Sequence, residues 1–215
     1  MRAMLLAAGR GERLRPLTDR VPKPLLTVRG KPLIVYHLEK LAGVGVQQVV
    51  INLSWLGEQI RAALGDGSRW GLRIIYSDEG AEALETGGGI QRALSWLGGE
   101  PFLVVNADVF TAFDFAALAI DPQALAHLVL VPNPEHVPHG DFALIDGRVR
   151  ESGMPRVTYS GIGLFRAELF EGCTAGRFPL RPLLQRAIAL DRLRGQLYGG
   201  SWSDVGTAER LAALQ

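Results

Sequence analysis

The chain opens on an apolar run at residues 2–8 that stops abruptly at glycines and charges, the mark of a buried strand emptying into a polar loop. Leu33, Tyr36, Leu38 and Leu41 give an apolar face at helical spacing and predict a helix over Leu33–Ala42. A strand over Val46–Leu53, a helix over Leu56–Leu64, a turn at Gly65-Asp66-Gly67-Ser68 and a strand over Leu72–Ser77 follow. Gly88–Leu97 reads as a helix, and Phe102–Val105 as a fully apolar strand stopping at Asn106 and Asp108. Short strands alternating with helices imply an α/β fold, its parallel or mostly parallel sheet covered on both faces.

Past Asp108 the periodicity loosens. Leu128–Val131 predicts a strand, and Phe142–Ile145 with Val149 a hairpin around Asp146-Gly147. Val157–Phe165 reads as a strand, Leu180–Leu190 as a helix, Gln196–Tyr198 as a strand, and the region near 206–214 as a last helix. No repeat, linker or low-complexity stretch interrupts this order, so residues 1–215 are expected to form one domain.

Composition narrows the class. The chain is 47% hydrophobic with a net charge of +1, and its positive charges are scattered. Neither nucleic acid nor a membrane is therefore expected as a partner. Cys173 is the sole cysteine, which excludes an internal disulfide and a thiolate metal site and suits a reducing cytoplasm. The first residues lack a cleavage region, and no apolar run approaches the roughly eighteen residues of a membrane span. A soluble cytoplasmic protein is expected; oligomeric state is not legible.

The first loop carries candidate chemistry. Gly9-Arg10-Gly11-Glu12-Arg13 puts glycines beside arginines, and glycines let backbone N–H groups converge on an anion while arginine adds charge-assisted bonds. The alternative is a surface loop with incidental arginines. Two other phosphate motifs fail. No G-x-x-x-x-G-K-[S/T] string occurs, and the dinucleotide fingerprint lacks its third glycine, with Arg13 in its place and Pro16 close behind. Lysine occurs only at 23, 31 and 40, and Pro22 and Pro24 fix the backbone around Lys23, so that this side chain is aimed. A polyphosphate site fits these residues.

The string Gly-x-Gly-x-Arg-Leu-x-Pro-x-Thr followed by Pro22-Lys23-Pro24-Leu25 resembles the signature of the sugar-1-phosphate nucleotidyltransferases. The likeness continues through Gly30-Lys31-Pro32-Leu33-Ile34, Leu84-Glu85-Thr86-Gly87-Gly88, Val104-Val105-Asn106-Ala107-Asp108, Tyr159-Ser160-Gly161-Ile162 and Trp202-Ser203-Asp204-Val205-Gly206-Thr207, covering nearly the whole chain. It implies a Rossmann-like three-layer α/β fold with a mostly parallel mixed sheet. Within the family the chain most resembles the N-acetylmuramate-1-phosphate uridylyltransferases of cell-wall recycling, through Ile51-Asn52-Leu53-Ser54-Trp55-Leu56-Gly57 and Gly65-Asp66-Gly67-Ser68-Arg69-Trp70-Gly71. That resemblance implies UTP and a sugar-1-phosphate as substrates and a nucleotide sugar and pyrophosphate as products. Other sugar-1-phosphate nucleotidyltransferases, a noncatalytic nucleotide-sugar sensor and a dehydrogenase are the competing readings; retention of Lys23 and both aspartates opposes the sensor, and the missing third glycine the dehydrogenase.

The resemblance also assigns roles. Ala8, Gly9, Gly11, Glu12 and Arg13 would hold the nucleotide, Arg13 and the loop N–H groups taking the β- and γ-phosphates and Lys23 the α-phosphate. Asp108 and Asp204 would hold Mg²⁺, and Arg13, Lys23 and Asp108 form the catalytic set. Glu79, Leu84 and Gly87 would face base and ribose. Asn106, Asp141, Glu151, Ser160 and Gly161 would line the sugar pocket. Local readings stand beside these: Asp108 as a turn residue, Asp204 as a helix cap, Thr86 as a helix-entry cap. His37 and His127 read as structural, and Trp55, Trp70, Trp96 and Trp202 as core or rim packing. The chain departs from the family in having Ala107 before Asp108 and in lacking Glu-Lys-Pro near Arg150-Glu151-Ser152-Gly153. Arg156 is a candidate substitute for that lysine, and His139 and Arg156 for contact with a lactyl carboxylate.

Overall fold

In the computed structural model, which describes residues 1–215, the opening apolar run forms β1 (Arg2–Leu6) within a nine-stranded sheet. Ala3 and Leu5 pack into one apolar cluster and Met4 into another, and all three are fully buried. A strand covered on both faces needs no polar alternation, hence the unbroken hydrophobic run. A short hairpin of β2 (Thr27–Val28) and β3 (Lys31–Pro32) leads into α1 (Leu33–Gly43). Pro32 gives α1 no side-chain cap, but six buried residues from Leu33 to Leu41 anchor it. Each fully buried Leu or Ile contributes about 1.5–3 kcal/mol, more than a typical cap.

Next come β4 (Gln48–Leu53), α2 (Gly57–Leu64), β5 (Arg73–Asp78), α3 (Glu85–Leu97) and β6 (Phe102–Asn106). β4 joins β1 in parallel on one side with β5 beyond it, and β6 joins β1 in parallel on the other. Winding therefore reverses between β1 and β6, and the loops leaving those strands diverge. In open α/β sheets that divergence opens a crevice at the carboxyl ends of the strands. The glycine loop leaves β1 and Asp108 follows β6, so both reach its rim.

Beyond β6 the chain forms β7 (Val109–Thr111), β8 (Ala126–Val131), β9 (Phe142–Ile145), β10 (Arg148–Arg150), β11 (Arg156–Phe165), α4 (Arg181–Ala189), β12 (Leu193–Leu197), β13 (Trp202–Asp204) and α5 (Ala208–Ala212). The sheet order is β5-β4-β1-β6-β11-β8-β12-β10-β9. β11 runs antiparallel to β6 and β8, β12 parallel to β8, and β9 also pairs with the start of β11, which curls this end back on itself. The parallel predominance expected from sequence holds as far as β6; beyond it antiparallel pairings prevail. Parallel neighbours require long crossovers, and this half of the chain uses hairpins and returns instead. The β9–β10 turn falls on Asp146 and Gly147, with φ of 49° and 73°, as a two-residue hairpin of this kind demands.

α1 and α2 contribute to the apolar cluster on one face of the sheet, α3 and α4 to that on the other. A third, small cluster joins Leu14 of the glycine loop to Leu26, Val28, Leu33 and Val205. No helix is long and apolar enough to cross a membrane.

His37 is structural, as its apolar surroundings predicted. Only 1% exposed, it donates from Nε2 to the Val109 carbonyl at 2.7 Å, and its Nδ1 has no partner. Burial depresses its pKa from 6.5 to about 4. The unfolded chain takes up a proton near pH 6.5 that the folded protein refuses until about pH 4. Stability from this group is therefore complete above pH 6.5 and declines as pH falls toward 4, by about 3 kcal/mol. Denaturant melts at pH 7.0 and 4.5 should differ by roughly that amount more in the wild type than in His37→Gln. Equal pH slopes would remove His37 as the cause.

Candidate active site

The glycine loop is fixed by hydrogen bonds from Arg10 and Thr18. Gly11 has a φ of +69°, and a Cβ there would lie 2.9 Å from Thr18 Cγ2 and 3.3 Å from Lys23 Cβ. The buried Thr18 hydroxyl donates to the Gly11 carbonyl at 2.8 Å. Arg10 is scaffold: it pairs with Asp19 at 2.9 Å, donates to Thr18 O at 3.0 Å and stacks 3.5 Å from the centroid of the Trp55 ring. Trp55 is thus rim packing, its Nε1 also donating to Thr18 O at 2.9 Å.

Lys23 begins a single 3₁₀ turn, Lys23–Leu25, between two buried prolines. Leu25 N bonds Pro22 O and Leu26 N bonds Lys23 O, so the backbone beneath Lys23 is closed on both sides. Its side chain, 12% exposed, pairs with Asp108 Oδ2. Ala8, Gly9, Gly11, Lys23, Glu79, Asn106 and Asp108 line one cleft. A second cavity beside it is lined by Gly11, Glu12, Arg13, Lys23 and Gly206, with Arg13 exposed.

The two aspartates, far apart in sequence, meet through a two-stranded sheet outside the main one. β7 and β13 run antiparallel with Asp204 opposite Val109, and Val205 N donates to Asp108 O at 2.8 Å. Asp204 does not cap the last helix; Thr207 does, accepting from Arg210 N at 3.3 Å. Arg210 Nη1 holds both Asp204 oxygens, at 2.8 and 3.0 Å, and His136 Nε2 lies 3.1 Å from Oδ1. No group of three or more acidic, histidine or cysteine side chains is assembled. Two carboxylates without further protein ligands are the hard-oxygen donor set of a cation that draws its remaining ligands from phosphate and water. The β7–β13 pairing brings the backbones of two such donors, Asp108 and Asp204, side by side.

The wall opposite the glycine loop differs in detail from expectation. α3 starts at Glu85, three residues before the expected Gly88, so Thr86 lies inside the helix and caps nothing. Ala83, Glu85 and Thr86 line the cleft, whereas Leu84 and Gly87 do not. Gly87 is pressed against Phe178, 2.6 Å from where its Cβ would be, and Gly88 N donates to Phe178 O at 3.0 Å. Glu79 is half-buried, which raises its carboxyl pKa despite bonds from Leu84 N and Asn52 Nδ2. Asn52, outside the expected set, also lines the cleft. Its signal was available: like Asn106, it is a polar residue near the end of an otherwise apolar strand.

Beside Asn106, Gly161 takes a φ of +79° within an irregularity of β11 and packs on the Asn106 side chain, leaving no room for a Cβ. Ser160 differs from its expected role: it is 1% exposed, its hydroxyl donates to Val129 O at 2.7 Å and its carbonyl accepts from Trp202 Nε1 at 3.0 Å, and it does not line the cleft. Asp141 and Glu151 stand outside the cleft in a separate cluster with Arg181, which bonds Glu151 Oε2 at 3.1 Å and Asp141 O at 3.2 Å. Asp141 Oδ2 also accepts from Tyr159 N at 2.8 Å, tying that cluster to β11. Arg156 does not offer a free guanidinium in place of the missing lysine. It donates to the carbonyls of His139, Gly140, Asp141 and Glu151 and acts as a loop staple.

A family model described as nucleotidyl transferase matches residues 2–147. The N-acetylmuramate alpha-1-phosphate uridylyltransferase of Neisseria meningitidis serogroup B is 52% identical over an alignment covering 100% of this chain and 97% of that protein. The enzyme of the same name from Caulobacter vibrioides is 37% identical, with 98% and 94% covered. Among solved structures, a Bacillus anthracis chain in complex with sucrose is similar at a TM-score of 0.85, with 19% identity and coverage of 100% and 93%. The inositol-1-phosphate CTP transferase from T. maritima gives 0.78 at 18% identity, covering 97% and 90%. At those identities the solved structures share the fold alone.

Proposed function

This chain belongs to the nucleotidyl transferase family, and from that premise we propose that it transfers a uridylyl group from UTP to N-acetylmuramic acid α-1-phosphate, yielding UDP-N-acetylmuramic acid and pyrophosphate. The observation that carries the choice of substrates is 52% identity, across the whole chain, to the Neisseria enzyme of that name. A cytoplasmic place in cell-wall recycling goes with this reading.

The nucleophile is an acceptor phosphate oxygen, already anionic because the second ionisation of a phosphate monoester lies at about pH 6. No general base is required, and none is assigned. What the reaction requires is relief of charge as two anions approach and pyrophosphate leaves. Lys23, held by its prolines at the cleft, is assigned to the α-phosphate. Arg13 and the N–H groups of Gly9 and Gly11 are assigned to the β- and γ-phosphates. Asp108 and Asp204 would hold Mg²⁺, which when bound neutralises developing charge on the phosphate oxygens. Asn106 and the backbone at Gly161 form the acceptor side.

Pyrophosphate release should be measured across UTP, dTTP, GTP and CTP, each with the α-1-phosphates of N-acetylmuramic acid and N-acetylglucosamine. The highest kcat/KM is expected for UTP with the muramic compound. Preference for the glucosamine compound would overturn the acceptor, and preference for another triphosphate the donor.

A further inference from the structure

A chain of side-chain hydrogen bonds crosses the cleft beneath the proposed nucleotide. Asn52, near the end of β4, is 3% exposed. Its Oδ1 accepts from Ala7 N at 2.7 Å, and its Nδ2 donates to Glu79 Oε1 at 2.8 Å. Glu79 Oε2 accepts from Leu84 N at 2.7 Å. Ala7 stands where β1 passes into the glycine loop, and Leu84 immediately precedes Glu85 and Thr86 on the opposite wall. The amide orientation is dictated, because Ala7 N–H can only donate and the Glu79 carboxylate only accept. Gly89 makes room for the chain: a Cβ there would lie 2.6 Å from Glu79 Oε1 and 3.0 Å from Asn52 Nδ2.

We infer that Asn52 is a positioning residue for the nucleotide, bracing the phosphate-loop wall against the wall of residues 83–86 through Glu79. The inference rests on the reading that this cleft takes a nucleoside triphosphate. A ligand spanning both walls gains from their fixed spacing, whereas a ligand touching one wall gains nothing. Preorganisation of this kind is expressed in affinity for the whole nucleotide.

The brace can be broken and rebuilt by exchanging its polar groups. Asn52→Asp alone sets two carboxylates face to face. Glu79→Gln alone turns an NH₂ group toward one of the two donors it must accept from. The double variant Asn52→Asp/Glu79→Gln restores every bond: a carboxylate at position 52 still accepts from Ala7 N, and the middle donor is now the amide at position 79. Each single change is expected to raise the KM for UTP about tenfold, and the double change to return it to within about threefold of wild type. Inhibition by inorganic triphosphate, confined to one wall, should move less than about twofold in all three variants, and KM for the sugar phosphate should not follow KM for UTP. A double variant no better than the singles, or inhibitor losses as large as those for UTP, would overturn the brace. If recovery appears in the melting temperature but not in KM for UTP, the bonds are structural only and the inference falls. A wild-type protein that binds no nucleoside triphosphate would overturn the reading of the cleft and this inference together; UTP turnover unaffected by the exchanges would overturn the brace alone.

Discussion

Lys23→Met is expected to lower kcat for pyrophosphate release by roughly a hundred- to a thousandfold, the cost of removing one preorganised charge from a developing transition state. Methionine keeps the length and apolar stem of lysine, so packing against Gly11 is retained. The partner left behind, Asp108, has a side chain 30% exposed and can be solvated, so the fold should survive. KM for UTP should rise much less than kcat falls, because the contact assigned to the α-phosphate strengthens as that phosphorus is attacked. Lys23→Arg should not restore activity: a planar fork cannot take the place of a point charge aimed between two fixed prolines. Steady-state kinetics with both substrates varied tests this. A Lys23→Met enzyme within about threefold of wild-type kcat would remove Lys23 from the chemistry.

Asp108→Asn carries the second large effect, about a thousandfold or more, since a metal acting on phosphate supplies several kcal/mol and each tenfold in rate corresponds to about 1.4 kcal/mol. Asparagine preserves shape and removes charge, leaving the Lys23 ammonium without its carboxylate in a poorly exposed position. The variant should therefore lose affinity for Mn²⁺, used as a spectroscopic probe, along with activity. Asp204→Asn should also weaken Mn²⁺, but with less disturbance of the cleft, because Arg210 and His136 lose their partner outside it. Mn²⁺ binding unchanged in both variants would separate these aspartates from the metal.

The parts of the fold legible in the sequence are those set by local pattern. β1, α1, β6 and the Asp146-Gly147 hairpin follow from hydrophobic runs, helical spacing and turn chemistry, and the structure places them within a residue or two. Asn106 and Asp108 were legible as rim residues because a polar stop on an apolar strand points there. What brings Asp204 to Asp108 was not: β7 and β13 have three residues each, too few to show a period. The start of α3 is hidden in the sequence because glycine is a poor helix former, yet contacts with Phe178 override that propensity at Gly87 and Gly88. Arg156 and Ser160 illustrate another limit. A sequence shows which groups a side chain carries, but not whether neighbouring carbonyls already occupy them.

The pairings of Lys23 with Asp108 in the cleft and of Arg210 with Asp204 beside it mean that each aspartate already holds a counter-ion. On the proposed reading, ligand entry is an exchange: triphosphate takes over the lysine as metal takes over the aspartates. Either ligand alone would leave a stranded charge of the opposite sign, so donor and metal are favoured to arrive as one neutralised complex.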